Sequence, residues 1–124
     1  MKLTRLPPDV FDRLLATTRF KEQARTVLRA IFVDGRSQTI VADEHGMTKQ
    51  RVNRLVGLLE RAYIETDSSG DAMVQVSLEL PERLAVELDG LMDAMQNCAD
   101  ESKKTAALDK ARAGVLSATK HLSR

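Results

Sequence analysis

The sequence predicts a mainly α-helical chain. It begins with a helix-turn-helix domain of four to five helices. A short β-strand plus helix dimerisation unit follows, then a helical or mobile C-terminal tail. Three observations lead there. With no Trp, one Tyr and three Phe, the core is left to Leu, Val, Ile, Met and Ala, a palette that favours helices. Apolar residues recur at helical spacing from Val10 to Ile64. One later run, Val74 to Leu80, alternates with period two, the mark of a half-buried strand.

In chain order, Pro7-Pro8-Asp9 reads as a helix start, since Pro is tolerated in the first turn. Val10, Phe11, Leu14 and Leu15 then form an apolar stripe. A second helix is expected from about Lys21 to Phe32, burying Ala24, Val27, Leu28, Ile31 and Phe32. Arg25 and Arg29 edge that face, as solvated charges by default. Asp34-Gly35 closes the helix, and Ser37 is a plausible N-cap for a third.

The stretch Gln38–Gly57 organises the rest. Val41 and Ala42 mark the buried side of its first helix, with Ala42 small enough for a close crossing. Gly46 sits where the chain must reverse, and a positive φ costs least without a Cβ. Met47 can plug the angle between the helices. Thr48 is a good N-cap for a second helix with Val52, Leu55, Val56 and Leu59 inward. Small Ala, Gly four on, branched Val six further and Leu three further is the helix-turn-helix pattern. His45 replaces the usual apolar residue and is expected to be a partly buried packing histidine. The second helix is expected to run to about Thr66, docking through Leu58, Leu59, Ala62, Tyr63 and Ile64.

Function comes from what that helix leaves outside. Lys49, Gln50, Asn53 and Arg54 oppose Val52 and Leu55 near the helix start. Arg or Lys suits guanine, and Asn or Gln suits adenine. Free N–H groups at the helix start can hold a phosphate. The set assigned to DNA is Gln38, Thr48, Lys49, Gln50, Arg51, Asn53 and Arg54. Charge is consistent: residues 1–66 hold twelve Lys/Arg against eight Asp/Glu, and residues 67–124 hold seven against ten. The net charges are +4 and −3.

Asp67-Ser68-Ser69-Gly70-Asp71 is the best internal boundary. It separates a DNA-binding domain (1–66) from a strand-helix unit (67–98) and a tail (99–124). Val74, Val76, Leu78 and Leu80 alternate with polar residues, and Leu84, Leu88, Leu91 and Met95 make the seam of the following helix. No other strand is evident, so the expected partner is the same strand of a second copy. Val74, Val76, Leu78, Leu80, Leu84, Leu88 and Leu91 are therefore assigned to dimerisation. The Ala-, Lys- and Ser-rich tail has a weak seam of Leu108, Ala111, Val115, Ala118 and Leu122 and is expected to add little to the dimer.

Several classes are disfavoured. No metal-ligand cluster, phosphate-binding glycine loop or nucleophile-base pair is evident, so neither catalytic residues, metal nor cofactor is expected. Scarce aromatics argue against a single-strand stacking platform. Cys98 is alone, excluding an internal disulfide and fitting a reducing cytoplasm. No segment is apolar enough to span a membrane, and no effector pocket is legible. The rival to DNA reading is an antitoxin-like or adaptor module that uses the helix-turn-helix as scaffold.

From Arg25 to Met95 the chain resembles the KorA/TrfB group of plasmid-encoded transcriptional repressors. Three pieces carry the likeness: Ala30-Ile31-Phe32-Val33-Asp34-Gly35-Arg36-Ser37-Gln38, His45-Gly46-Met47-Thr48-Lys49, and Val74-Gln75-Val76-Ser77-Leu78-Glu79-Leu80-Pro81-Glu82. The resemblance implies a homodimer on a palindromic operator in double-stranded DNA, repressing plasmid maintenance and transfer genes. It also implies dimer contacts after the helix-turn-helix and base contacts from Lys49, Gln50, Asn53 and Arg54. The sequence departs at Arg54, where relatives carry a glutamine. The tail from Ala99 lies outside the likeness.

Overall fold

The computed structural model describes residues 1–66, 70 and 72–123. Their elements run β1 (Lys2–Arg5), α1 (Pro8–Leu15), α2 (Glu22–Phe32), α3 (Gln38–Glu44), α4 (Lys49–Glu65), β2 (Gln75–Ser77), α5 (Glu82–Gln96) and α6 (Glu101–Leu122). The protein is mainly helical, as expected. The chain divides into two compact units, Met1–Glu79 and Leu80–Arg124. Of the expected boundary turn, Asp67, Ser68, Ser69 and Asp71 lie outside the described residues.

The first unit is built around α2, which packs on β1, α1, α3 and α4. Pro8 occupies the first turn of α1, and Val10, Phe11, Leu14 and Leu15 are all buried. The helix stops where the Thr17 and Thr18 hydroxyls donate back to the Leu14 and Leu15 carbonyls, at 2.7 and 2.8 Å. In α2 the expected Val27, Leu28, Ile31 and Phe32 are buried together with Ala30, while Ala24 is half-buried. Arg29 ties the two helices: its Nη1 lies 2.8 Å from Asp12 Oδ1, and its guanidinium 5.9 Å from the Phe11 ring centroid. An exposed pair of this kind contributes about 0–1 kcal/mol, so apolar burial holds α1 to α2.

Along α4 the stripe Val52, Val56 and Leu59 is buried, and Leu55, Ala62 and Tyr63 pack against it. Leu58 and Ile64, expected to dock, are instead 46 % and 61 % exposed. Both fall off the stripe that Val52, Val56, Leu59 and Tyr63 define at steps of three and four.

The strand β2 does have a partner in its own chain, which corrects the sequence expectation. It pairs antiparallel with β1, setting Lys2 against Ser77, Leu3 against Val76 and Arg5 against Gln75. The Thr4 hydroxyl donates to the Gln75 carbonyl at 2.9 Å. A register irregularity between Leu3 and Arg5 lets Leu3 and Leu6, three residues apart, both face the core at 4 % exposure. That bulge breaks the period-two alternation by which a strand is recognised. The Leu6 N–H then reaches the Phe32 carbonyl at 3.0 Å, anchoring β1 to the end of α2.

In the second unit, α5 and α6 contain no buried residue. The tail, left between helix and mobile segment by its sequence, forms the 22-residue α6. Asp100 starts it by accepting from the Ser102 and Lys103 N–H groups at 3.0 and 3.3 Å, a side-chain N-cap. No helix among the described residues is long and apolar enough to cross a membrane.

Candidate nucleic-acid interface

The candidate site is the exposed start of α4, and its placement begins with the end of α3. Val41 and Ala42 are buried at 0 % and 3 % exposure, fixing the inner side of that short helix where α4 packs on it. Its last turn closes with two back-bonds: the Met47 N–H to the Ala42 carbonyl at 2.9 Å, and the Gly46 N–H to the Asp43 carbonyl at 3.3 Å. This is the Schellman arrangement, which needs a left-handed residue between helix and exit. Gly46 supplies it with φ +62°. Met47 packs against the core, and His45 is half-buried.

Thr48 then turns the chain into α4, its hydroxyl accepting from the Arg51 N–H at 3.1 Å. The N–H groups ahead of Arg51 have no intrahelical acceptor and carry the positive end of the helix dipole. Thr48, Lys49, Gln50, Arg51, Asn53 and Arg54 are all exposed, while Val52 between them is fully buried. One buried residue thus orients a contiguous set of donors. Gln50, Asn53 and Arg54 oppose the buried stripe, and Gly57, next on that face, adds no side chain to block approach.

Four of the other cations of this unit are engaged elsewhere. Arg29 pairs with Asp12, and the Arg25 Nε donates to the Phe20 carbonyl at 2.9 Å. Arg5 Nη2 donates to the Val33 carbonyl at 2.6 Å, with its guanidinium against Gly35, where φ is +72°. Arg36 makes a two-pronged ion pair with Glu44, strapping the approach to α3 to its last residue. The Arg36 hydrogen bond holds the Glu44 carboxyl below its usual range, against a smaller opposing effect of desolvation. Among the described residues, Lys49, Arg51 and Arg54 make no ion pair.

Gln38 stands on α3, not on α4. It is half-buried at the start of α3 and lines an open groove of about 400 Å³ with Lys2, Arg5, Arg36, Val56 and Glu60. Ser37 stands at the N-cap of α3 without a side-chain cap bond. The Arg36–Glu44 strap was not singled out in the sequence; opposite charges eight residues apart across a short helix are its only trace.

The residues assigned to dimerisation are spread over both units. Val74 packs on the first unit's core, whereas Val76 and Leu78 are exposed at 43 % and 52 %. In the second unit Leu84 is exposed, and Leu80, Leu88 and Leu91 are half-buried.

Comparison with curated proteins finds no match. A family described as TrfB plasmid transcriptional repressor matches residues 8–88, from the start of α1 into α5 and well over half of the chain. The span takes in α1, upstream of the likeness read from the motifs, and holds the whole donor-rich start of α4. The chain belongs to the TrfB family of plasmid transcriptional repressors.

Proposed function

We propose that the protein is a homodimeric repressor that binds a palindromic operator in double-stranded DNA through the start of α4 and controls plasmid genes in the cytoplasm. The observation that carries this reading is the unpaired, donor-rich face of Lys49, Gln50, Arg51, Asn53 and Arg54, on a helix whose position is set by buried Val52 and the Gly46 turn. Gln50 and Asn53 suit adenine edges, and Arg54 suits the O6 and N7 of guanine. Lys49 joins them as a base contact, as the family likeness implies, while Arg51, Thr48 and the helix start suit phosphate, with Gln38 a flanking contact. Regulation here is by occupancy of DNA, with no catalytic step.

The free edge of β2 supports the dimer. Among the described residues β2 is paired on one side only, with β1, which leaves its other edge open beside exposed Val76 and Leu78. Pairing of that edge with its symmetry mate would satisfy both strands and relate two α4 helices by a two-fold axis. Half-sites about one helical turn apart follow from that symmetry.

Selection of bound sequences from a random duplex pool tests the proposal. Enrichment of a palindrome supports class, symmetry and target together. Recovery of the unselected pool, with binding that depends on salt alone, contradicts sequence-specific repression.

A further inference from the structure

The apolar seam of α6 is covered along its first half and bare along its second. Lys104, Ala107, Leu108 and Ala111 are half-buried on one stripe. The same stripe continues through Val115, Ala118 and Leu122, where every residue is exposed, Val115 at 55 % and Leu122 at 84 %. On α5 the half-buried residues Leu88, Leu91, Met92 and Met95 lie towards the Asn97–Asp100 connection, and Leu84 at the far end is 42 % exposed. Most of a helix's stability in a protein comes from packing of its apolar face. The half of α6 after Ala111 therefore calls for a cover that its own chain does not provide among the described residues.

Charge identifies the cover. Helix α5 carries Glu82, Glu87, Asp89 and Asp93 against Arg83, a net −3, and α6 carries Lys103, Lys104, Lys110, Arg112 and Lys120 against Glu101 and Asp109, a net +3. Two α6 helices side by side would bring five cations against five. The α6 of one copy beside the α5 of another brings opposite charges together, and two-fold symmetry makes that contact twice.

We infer that α6 is an interface element, its Val115–Ala118–Leu122 seam packing on the α5 of a second copy in a four-helix arrangement of alternating charge. This rests on the dimer reading above and extends it past residue 88, where the family match ends. It reverses the expectation that residues 99–124 add little. That expectation weighed the sparse seam alone, whereas the structure makes the seam one continuous helix with a face already half covered.

The test is sedimentation of the full chain, of Val115→Asp, of Ser117→Asp and of a chain ending at Ala111. Ser117 lies on the face opposite the seam, so it receives the same charge without meeting the interface. The full chain is expected to be a dimer. Val115→Asp and the shortened chain should raise its dissociation constant about tenfold or more, and Ser117→Asp should leave it unchanged. Equal behaviour of the two Asp variants, or no effect of shortening, overturns the role of α6 while leaving the dimer intact. A full chain that sediments as a monomer overturns the dimer reading itself. A shortened chain that stays dimeric but loses affinity evenly for all DNA, with a flatter salt dependence, makes α6 an arm on phosphates and also overturns the inference.

Discussion

Within Met1–Glu79, sixteen apolar side chains are buried, with Phe11, Phe32, Leu28 and Leu59 among those shut off from solvent. Within Leu80–Arg124, helices of 15 and 22 residues bury none. Both stretches are amphipathic in sequence, so the difference lies in what each seam meets. The α2 helix is surrounded by four other elements of its own unit, and burial of its apolar face can offset chain entropy within one chain. The α5 and α6 seams are half-covered at the ends that adjoin their connection and open beyond. The first unit can hold a recognition surface rigid by itself. In the dimer we propose, the second unit gains its packing by association, which suits a part that pairs two recognition surfaces.

Core truncation should separate the units most sharply. Phe32→Ala should cost about 3–5 kcal/mol in denaturant unfolding. Val86→Ala, on the exposed side of α5, should stay within about 0.5 kcal/mol. Comparable losses would mean that the second unit has a core of its own and would break the contrast. Next in size is the turn. A Cβ at Gly46 would meet nothing within 4 Å, so Gly46→Val isolates the backbone strain of a branched residue at positive φ, about 1–3 kcal/mol. Both thermal stability and DNA binding should fall, and an unaffected protein would remove the turn's role in placing α4. Loss of the Thr48 cap, in Thr48→Ala, should cost about 1 kcal/mol and be visible as a lower melting temperature.

The smallest expected effect concerns the Arg36–Glu44 strap. Because the folded protein depresses the Glu44 pKa, its contribution is fully present above the ordinary carboxylate pKa. It is lost as pH falls through the depressed value. Both groups are solvent-exposed, so the change should be slight: Glu44→Gln should flatten the acid side of the stability profile a little and leave stability near neutrality almost unaltered. A large loss near neutrality would show that the strap bears more of the first unit than its exposure allows.

How far the sequence could be read follows the same division. The helices α1 to α4 were legible because their apolar residues meet one another inside one chain, so spacing and burial coincide. Gly46, Met47 and Thr48 were legible because each performs a local task that few residue types can. The strand β1 was hidden, since a four-residue strand with a bulge between Leu3 and Arg5 shows no alternation. Missing it removed β2's partner and led to pairing in trans by elimination. The Arg36–Glu44 and Arg5–Val33 contacts were hidden because they depend on where a turn sends the chain. Leu58 and Ile64 are apolar but lie off the inward angle of α4, so residue type alone does not reveal their exposure. Alanines in α6 carry too little hydrophobicity to distinguish a helix from a loose tail, and the signal that does so is Asp100 as its cap.

In the function we propose, Gln50, Asn53 and Arg54 read sequence from a scaffold that stands without them. The most direct measurement is the ratio of affinities for the selected operator and for a duplex altered at the contacted base, in the native protein and in Arg54→Ala. The native protein should discriminate, and Arg54→Ala should lose about 1–3 kcal/mol of that discrimination per half-site with its unfolding curve unchanged. An Arg54→Ala protein that keeps the native ratio would contradict the assignment of Arg54. If Gln50→Ala and Asn53→Ala keep it as well, the start of α4 is not the reading surface.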